Sequence, residues 1–164
     1  MKSTKLNNKG FSLVELIIVI TIMAVLVGAL APALIRYVGE SRRSTDVNNA
    51  STIATAVTCA LNDADAYEEL VMKATQNNSA TVTFDLDSAN DCIQTNDSIG
   101  SSFDKIIKES ISGGIKQMAV KSKTDPAGNA ISATDFTITV DTSNNSVTVN
   151  IGNIECYPES SGMK

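Results

Sequence analysis

The spacing of apolar and polar positions changes character along the chain. Residues 16–35 form an uninterrupted run of 20 uncharged, mostly aliphatic positions, with one acid, Glu15, at its start. As a helix this run would be about 30 Å long, the thickness of a bilayer's hydrocarbon core. Beyond it the apolar period shortens to a stripe. Val47, Ala50, Ala54, Val57 and Leu61 recur at 3–4 spacing and predict a helix that continues to about Asn62. Its opposite face carries Asn48, Ser51, Thr52, Thr55, Cys59 and Asn62, small and mostly polar. That face suits either a solvated back or contact with a neighbouring subunit.

The rest of the chain alternates short helical and strand patterns. Asp65 and Glu68 have capping-box spacing and predict a second helix over residues 65–75, burying Leu70, Val71 and Ala74. Ala80, Val82, Phe84 and Leu86 alternate as in a strand, with Asp85 and Asp87 on its solvent face. Residues 87–101 read as a polar loop holding Cys92. Ser102 is placed to cap a helix over 103–112, which Gly113 and Gly114 end. Residues 115–123 are expected to form a strand with Met118 and Val120 inward. A turn follows at Asp125, Pro126, Ala127 and Gly128. The alternation of Phe136, Ile138 and Val140, then of Val147, Val149 and Ile151, predicts a hairpin turning at 142–145. The tail after Gly152 is polar and expected to be loose, apart from Cys156.

Three devices fit the apolar run. A secretory signal peptide would have a basic start, an apolar middle and a small-residue site at Ala29, Leu30 and Ala31. The length of the run, the awkward position of Pro32 after that site, and Glu15 all oppose it. A plain membrane anchor cannot be oriented by its flanks. Lys2, Lys5 and Lys9 lie on one side and Arg36, Arg42 and Arg43 on the other. Neither device uses Glu15, and a carboxylate at the membrane end of a helix is a functional candidate by default. The third device is an assembly helix.

Composition narrows the chemistry. The chain has 164 residues and formal net charge −5, with 4% aromatic residues and no His or Trp. Without its first ten residues, basic side chains fall from 13 to 10 against 18 acids, a net −8. Such an acidic chain is a poor phosphate binder, so no nucleic-acid partner is expected. The absence of His excludes the usual nucleophilic triads and imidazole metal ligands. The carboxylates are scattered over turns, no Gly-rich phosphate loop is present, and the three cysteines lack paired zinc-ligand spacing. No enzyme, cofactor or metal is therefore expected. Asp141 and Asn144 are better explained by a hairpin turn than by a weak calcium site. For an exported domain, Cys59, Cys92 and Cys156 allow one disulfide and one thiol, in any of three pairings.

Lys9, Gly10, Phe11, Ser12, Leu13, Val14 and Glu15, followed by the aliphatic run, resemble the processing signature of the type IV pilin family, which includes the pseudopilins of secretion and competence systems. The signature has a basic leader ending in Gly, an aromatic residue, an acid at the fifth position after the cut, and a hydrophobic helix. Pro32 and Arg36 also sit where many pilins have them. The resemblance implies that residues 1–10 are a leader, that residues 11–35 are a transmembrane and assembly helix, and that residues 36–164 form the globular domain with the second half of that helix. It implies cleavage between Gly10 and Phe11 by prepilin peptidase, N-methylation of Phe11, and pairing of Glu15 with the amine of a neighbouring subunit. The expected partners are identical or related pilin subunits, the peptidase, the pilus assembly machinery, and membrane lipid before assembly. The expected location is the cytoplasmic membrane as a single-pass precursor, then an extracellular pilus.

Physical chemistry supports those roles. A cut after Gly10 creates a positive amine at a helix start, four residues before Glu15, where the helix dipole also favours a carboxylate. Both charges would sit at the edge of hydrocarbon, and staggered packing lets each meet a partner on an adjacent chain. Pro32 removes a helix hydrogen bond, so kinking or local unwinding is expected near residues 28–32. The fold expected is α+β: a long N-terminal helix, membrane-spanning in its first half and amphipathic in its second, packed on a small antiparallel sheet. Pilins often carry a disulfide pinning the C-terminal region. By that resemblance Cys92 and Cys156, both expected in loops, are the pair, worth about 4 kcal/mol if unstrained. The alternatives are a pseudopilin, which shares this N-terminal pattern, and a membrane-tethered extracellular binding domain, in which Glu15 has no role.

Overall fold

The computed structural model describes residues 10–94 and 99–158. They fall into two compact units that divide between Val38 and Gly39. One helix, α1 (Leu13–Leu61), contributes to both. The elements that follow are α2 (Ala64–Gln76), β1 (Thr81–Asp87), β2 (Cys92–Gln94), α3 (Ser101–Ser110), a 3₁₀ turn (Ile115–Met118), and β3 (Thr137–Asp141), β4 (Ser146–Ile151) and β5 (Ile154–Tyr157). The expected α+β architecture, a long N-terminal helix with a small antiparallel sheet, is the observed one.

Among the described residues of the domain unit, the buried apolar side chains form one cluster. Its sheet order is β2-β1-β3-β4-β5, antiparallel throughout. The predicted hairpin is β3–β4, with Val140 opposite Val147 and Ile138 opposite Val149. Val82 and Phe84 of β1 face Val140 and Ile138 of β3, so one side of the sheet is a continuous apolar surface. Ala50, Ile53, Ala54, Val57 and Ala60 of α1 join it in the core. Phe84 meets Phe103 of α3 edge to face, with centroids 5.6 Å apart. The predicted polar face of α1 is exposed at all six positions.

Local hydrogen bonding explains the departures from expectation. Asp63, not Asp65, caps α2, its carboxylate accepting the Ala66 amide at 3.1 Å. α3 begins at Ser101, and its cap comes from another helix. Glu69 of α2 accepts the amides of Ser102 and Phe103 at 3.1 and 2.9 Å. Residues 115–123 are a 3₁₀ turn and extended chain, not a strand, because their backbone donors are claimed elsewhere. The carboxylate of Asp46, fully buried on α1, takes the amides of Lys121 and Ser122, and the Val120 amide goes to the Thr134 carbonyl. Asp87 is buried rather than solvent-facing. It accepts the amides of Ala89 and Asn90 and the side chains of Asn90 and Gln94, and so shapes the turn between β1 and β2.

The tail is ordered into β5 through a two-residue turn at Gly152 and Asn153, with Ile151 paired to Ile154. This overturns the expected disulfide. Cys92 lies in β2 and Cys156 in β5, neither of them in a loop, and these strands are opposite edges of the sheet. Four strand spacings separate them by about 19 Å, against the roughly 7 Å limit between bridged Cα atoms. All three cysteines are thiols: Cys59 exposed, Cys92 half-buried and Cys156 buried. Burial pushes the Cys156 thiol up to about 11.

Candidate processing site and assembly helix

The site is the N-terminal unit and the stretch leading into it. Gly10, Phe11 and Ser12 precede α1 and are exposed, Phe11 at 90%. The remainder of the expected leader lies outside the described residues. Among the described residues, a Cβ built at Gly10 would meet nothing within 4 Å.

Ser12 and Glu15 form a reciprocal capping box. The Glu15 carboxylate accepts the Ser12 amide at 2.8 Å, and the Ser12 hydroxyl accepts the Val14 amide at 3.3 Å. Because the helix starts at Leu13, Phe11 is not on a helical face with Glu15. The nearest positive dipole to the carboxylate is the helix terminus itself. The spacing Ser-x-x-Glu ahead of an apolar run is visible in the sequence but does not by itself separate a cap from an assembly contact.

From Leu13 onward the large apolar side chains of this unit are exposed, among them Leu16, Ile20, Met23 and Leu30. By length and composition the helix can cross a membrane. It runs without interruption through Gly28 and Pro32, so the expected local unwinding is absent. The residue four before Pro32, whose carbonyl the ring would crowd, is Gly28.

Beyond the division the outer face of α1 is polar in composition. Thr45, Thr52 and Thr55 each donate their hydroxyl to the carbonyl four residues earlier, at 2.9, 3.0 and 2.9 Å. Thr58 does the same to Ala54 at 2.8 Å, and Asn62 donates its amide to Thr58. Cys59 lies on this face, exposed, and is brought together with neither other cysteine. Among the described residues no group of three His, Cys, Asp or Glu side chains is arranged to hold a metal ion. Asp141 accepts the Ser143 amide and the Asn144 side chain, which accounts for it as a turn residue.

Residues 5–31 match the family described as the prokaryotic N-terminal methylation motif, the signature carried by type IV pilins and pseudopilins. The match supports a protein of the type IV pilin or pseudopilin class, handled by prepilin peptidase as substrate. The pilin-like architecture accords with it. No curated protein and no solved structure significantly matches the chain.

Proposed function

We propose that this chain is a structural subunit of a type IV pilus. Prepilin peptidase cuts between Gly10 and Phe11 and methylates the new Phe11 amine. The mature chain then polymerises through its N-terminal helix. The apolar helix first holds the precursor in the cytoplasmic membrane and then forms part of the filament core. Glu15 meets the Phe11 amine of a neighbouring subunit, so neither charge is buried alone. Pro32 and Gly28 are the place where the helix would yield on assembly. The protein acts by assembling and not by catalysis.

The observation that carries this reading is the combination at the head of α1. An exposed Gly10 and Phe11 are followed by a carboxylate, then by a membrane-length apolar helix whose large apolar side chains are exposed among the described residues. A membrane tether would use the carboxylate only as the cap of α1, whereas a filament also uses its charge.

Three substitutions test it. Gly10→Val should leave precursor of unchanged mass in the membrane. Glu15→Ala should be processed but fail to form filaments. Glu15→Gln keeps an acceptor for the Ser12 amide but loses the charge, and should fail in the same way. Surface filaments from Glu15→Gln at wild-type abundance would contradict the pairing. Immunogold labelling with antibody to residues 36–164 should decorate wild-type filaments along their length. Filaments without label would contradict the subunit role.

A further inference from the structure

Among the described large apolar side chains beyond Val38, only Met72 and Tyr157 are exposed, Met72 at 53%. Met72 sits on a face of α2 that no other described element covers, where it lines a shallow concavity of about 510 Å³ with Tyr67, Glu68, Val71, Thr75 and Gln76. Asp65, Glu68 and Met72 follow one another at helical spacing on that face, so the apolar surface has an acidic approach. Asp63, the helix cap, is exposed beside it. From residue 44 to residue 72 the sequence contains no basic side chain.

The opposite charge collects at the other end of the domain's share of α1. The buried Asp46 carboxylate holds the Lys121 and Ser122 amides, which fixes this segment at the level of residue 46, and the side chains of Lys121 and Lys123 are exposed. Arg42 and Arg43 lie one turn earlier on α1. The nearby carboxylates of Asp46 and Asp125 are turned onto backbone amides. From Asp46 to the end of α1 at Leu61, where the chain turns into α2, is about 22 Å of helix. Acidic-apolar and basic surfaces therefore lie at different levels along one axis.

We propose that the exposed face of α2 docks the Lys121 and Lys123 segment of a second copy of this chain, head to tail. The aliphatic stems of the lysines cover Val71 and Met72, while their ammonium groups reach Asp65 and Glu68. A contact between two different surfaces of the same chain does not close on itself as a twofold dimer does, and its repetition generates an open helical polymer. Such charge pairs select partner, register and orientation more than they add affinity. This inference rests on the filament reading above and assigns it a subunit contact outside the apolar helix.

The full-length chain in its own assembly system provides the test. Asp65→Lys with Glu68→Lys, and separately Lys121→Glu with Lys123→Glu, should each lower sheared filament yield by about tenfold or more. The chain carrying all four substitutions should recover most of it. All four side chains are on the surface or its edge, and circular dichroism should be unchanged. In parallel, p-benzoylphenylalanine at position 72, in a mixture of light and isotope-labelled chains, should crosslink to a peptide containing Lys121 and Lys123 of another copy. Filaments of normal yield from both reversed pairs, or no recovery in the fourfold variant, would overturn the contact. Wild-type filaments without this crosslink would also overturn it and leave the filament reading standing. The crosslink without any wild-type filament would support the contact and sink the filament reading.

Discussion

The carboxylate of Asp46 accepts the backbone amide of Ser122 at 2.7 Å, joining positions 76 residues apart in the chain. The second carboxylate oxygen takes the Lys121 amide at 2.9 Å. One buried side chain thus does for residues 121 and 122 what a neighbouring strand would otherwise do. Asp46→Ala leaves two amides without their acceptor, one of them buried. It should cost about 3 kcal/mol in urea unfolding of the domain. Asp46→Asn keeps one acceptor oxygen and should cost less. Equal stability of all three chains would show that water satisfies these amides as well.

Glu69 and Gly100 form a second long-range device. The Glu69 carboxylate caps α3, and a Cβ at Gly100 would fall 2.2 Å from its Cδ. Glu69→Ala should destabilise the domain by about 1 kcal/mol, the ordinary effect of losing a helix cap. Gly100→Ala should displace the cap and cost a similar amount. Because both substitutions remove one interaction, the double variant should be less destabilised than the sum of the two, as a double-mutant cycle by thermal unfolding would show.

The pH dependence of stability has two components of opposite sign. The side chain of Asn90 on Asp87, that of Asn129 on Asp125, and the Ser143 amide on Asp141 hold these carboxyls below their ordinary value. Their contribution is present above the unfolded carboxyl value of about 3.9 and is lost as pH falls through the lower folded values. Burial raises Asp104, with Lys108 opposing and Glu69 adding to the shift. Its contribution is complete below the unfolded value and is lost as pH rises through the folded one. Stability should therefore increase slightly on acidification from neutral pH before acid unfolding begins. Asp104→Asn should remove the rise and leave the acid limb, as read from denaturant midpoints across pH 3–7.

The three thiols should separate by reactivity. Ellman titration of the unfolded, unreduced protein should find all three. In the folded protein at pH 8, Cys156 should react with iodoacetamide about a hundredfold or more slowly than exposed Cys59, because burial keeps it protonated. A tryptic digest joining Cys92 to Cys156 would contradict the sheet order.

Period carried most of the fold. Alternation at Phe136, Ile138 and Val140 and at Val147, Val149 and Ile151 defined the central hairpin, because burial on one side of a sheet imposes a period of two. The stripe from Val47 to Leu61 placed the inner face of α1. The failures were long-range. Asp46 lies four residues before Ala50 on that same inner face, a charge where none belongs, but its partners lie 75 and 76 residues away. Residues 115–123 have strand-like composition, and the carboxylate that takes their donors is on another element. Gly152 and Asn153, a two-residue Gly-Asn turn between Ile151 and Ile154, carried a hairpin signal that the expectation of a loose tail passed over. With β5 in place, the loop assignment behind the disulfide falls. At the candidate processing site, Gly10, Phe11 and Glu15 are legible in the sequence, whereas the capping role of Glu15 depends on where α1 begins.

The threonines of α1 change what its outer face asks of a partner. Each of Thr45, Thr52, Thr55 and Thr58 has already spent its proton on its own helix. Drying that face leaves few donors stranded. A partner seated on these threonines would meet their methyl groups and satisfied hydroxyls, beside the exposed Asn48 and Ser51. At these four positions a surface that looks hydrophilic by composition could therefore be dehydrated at little cost.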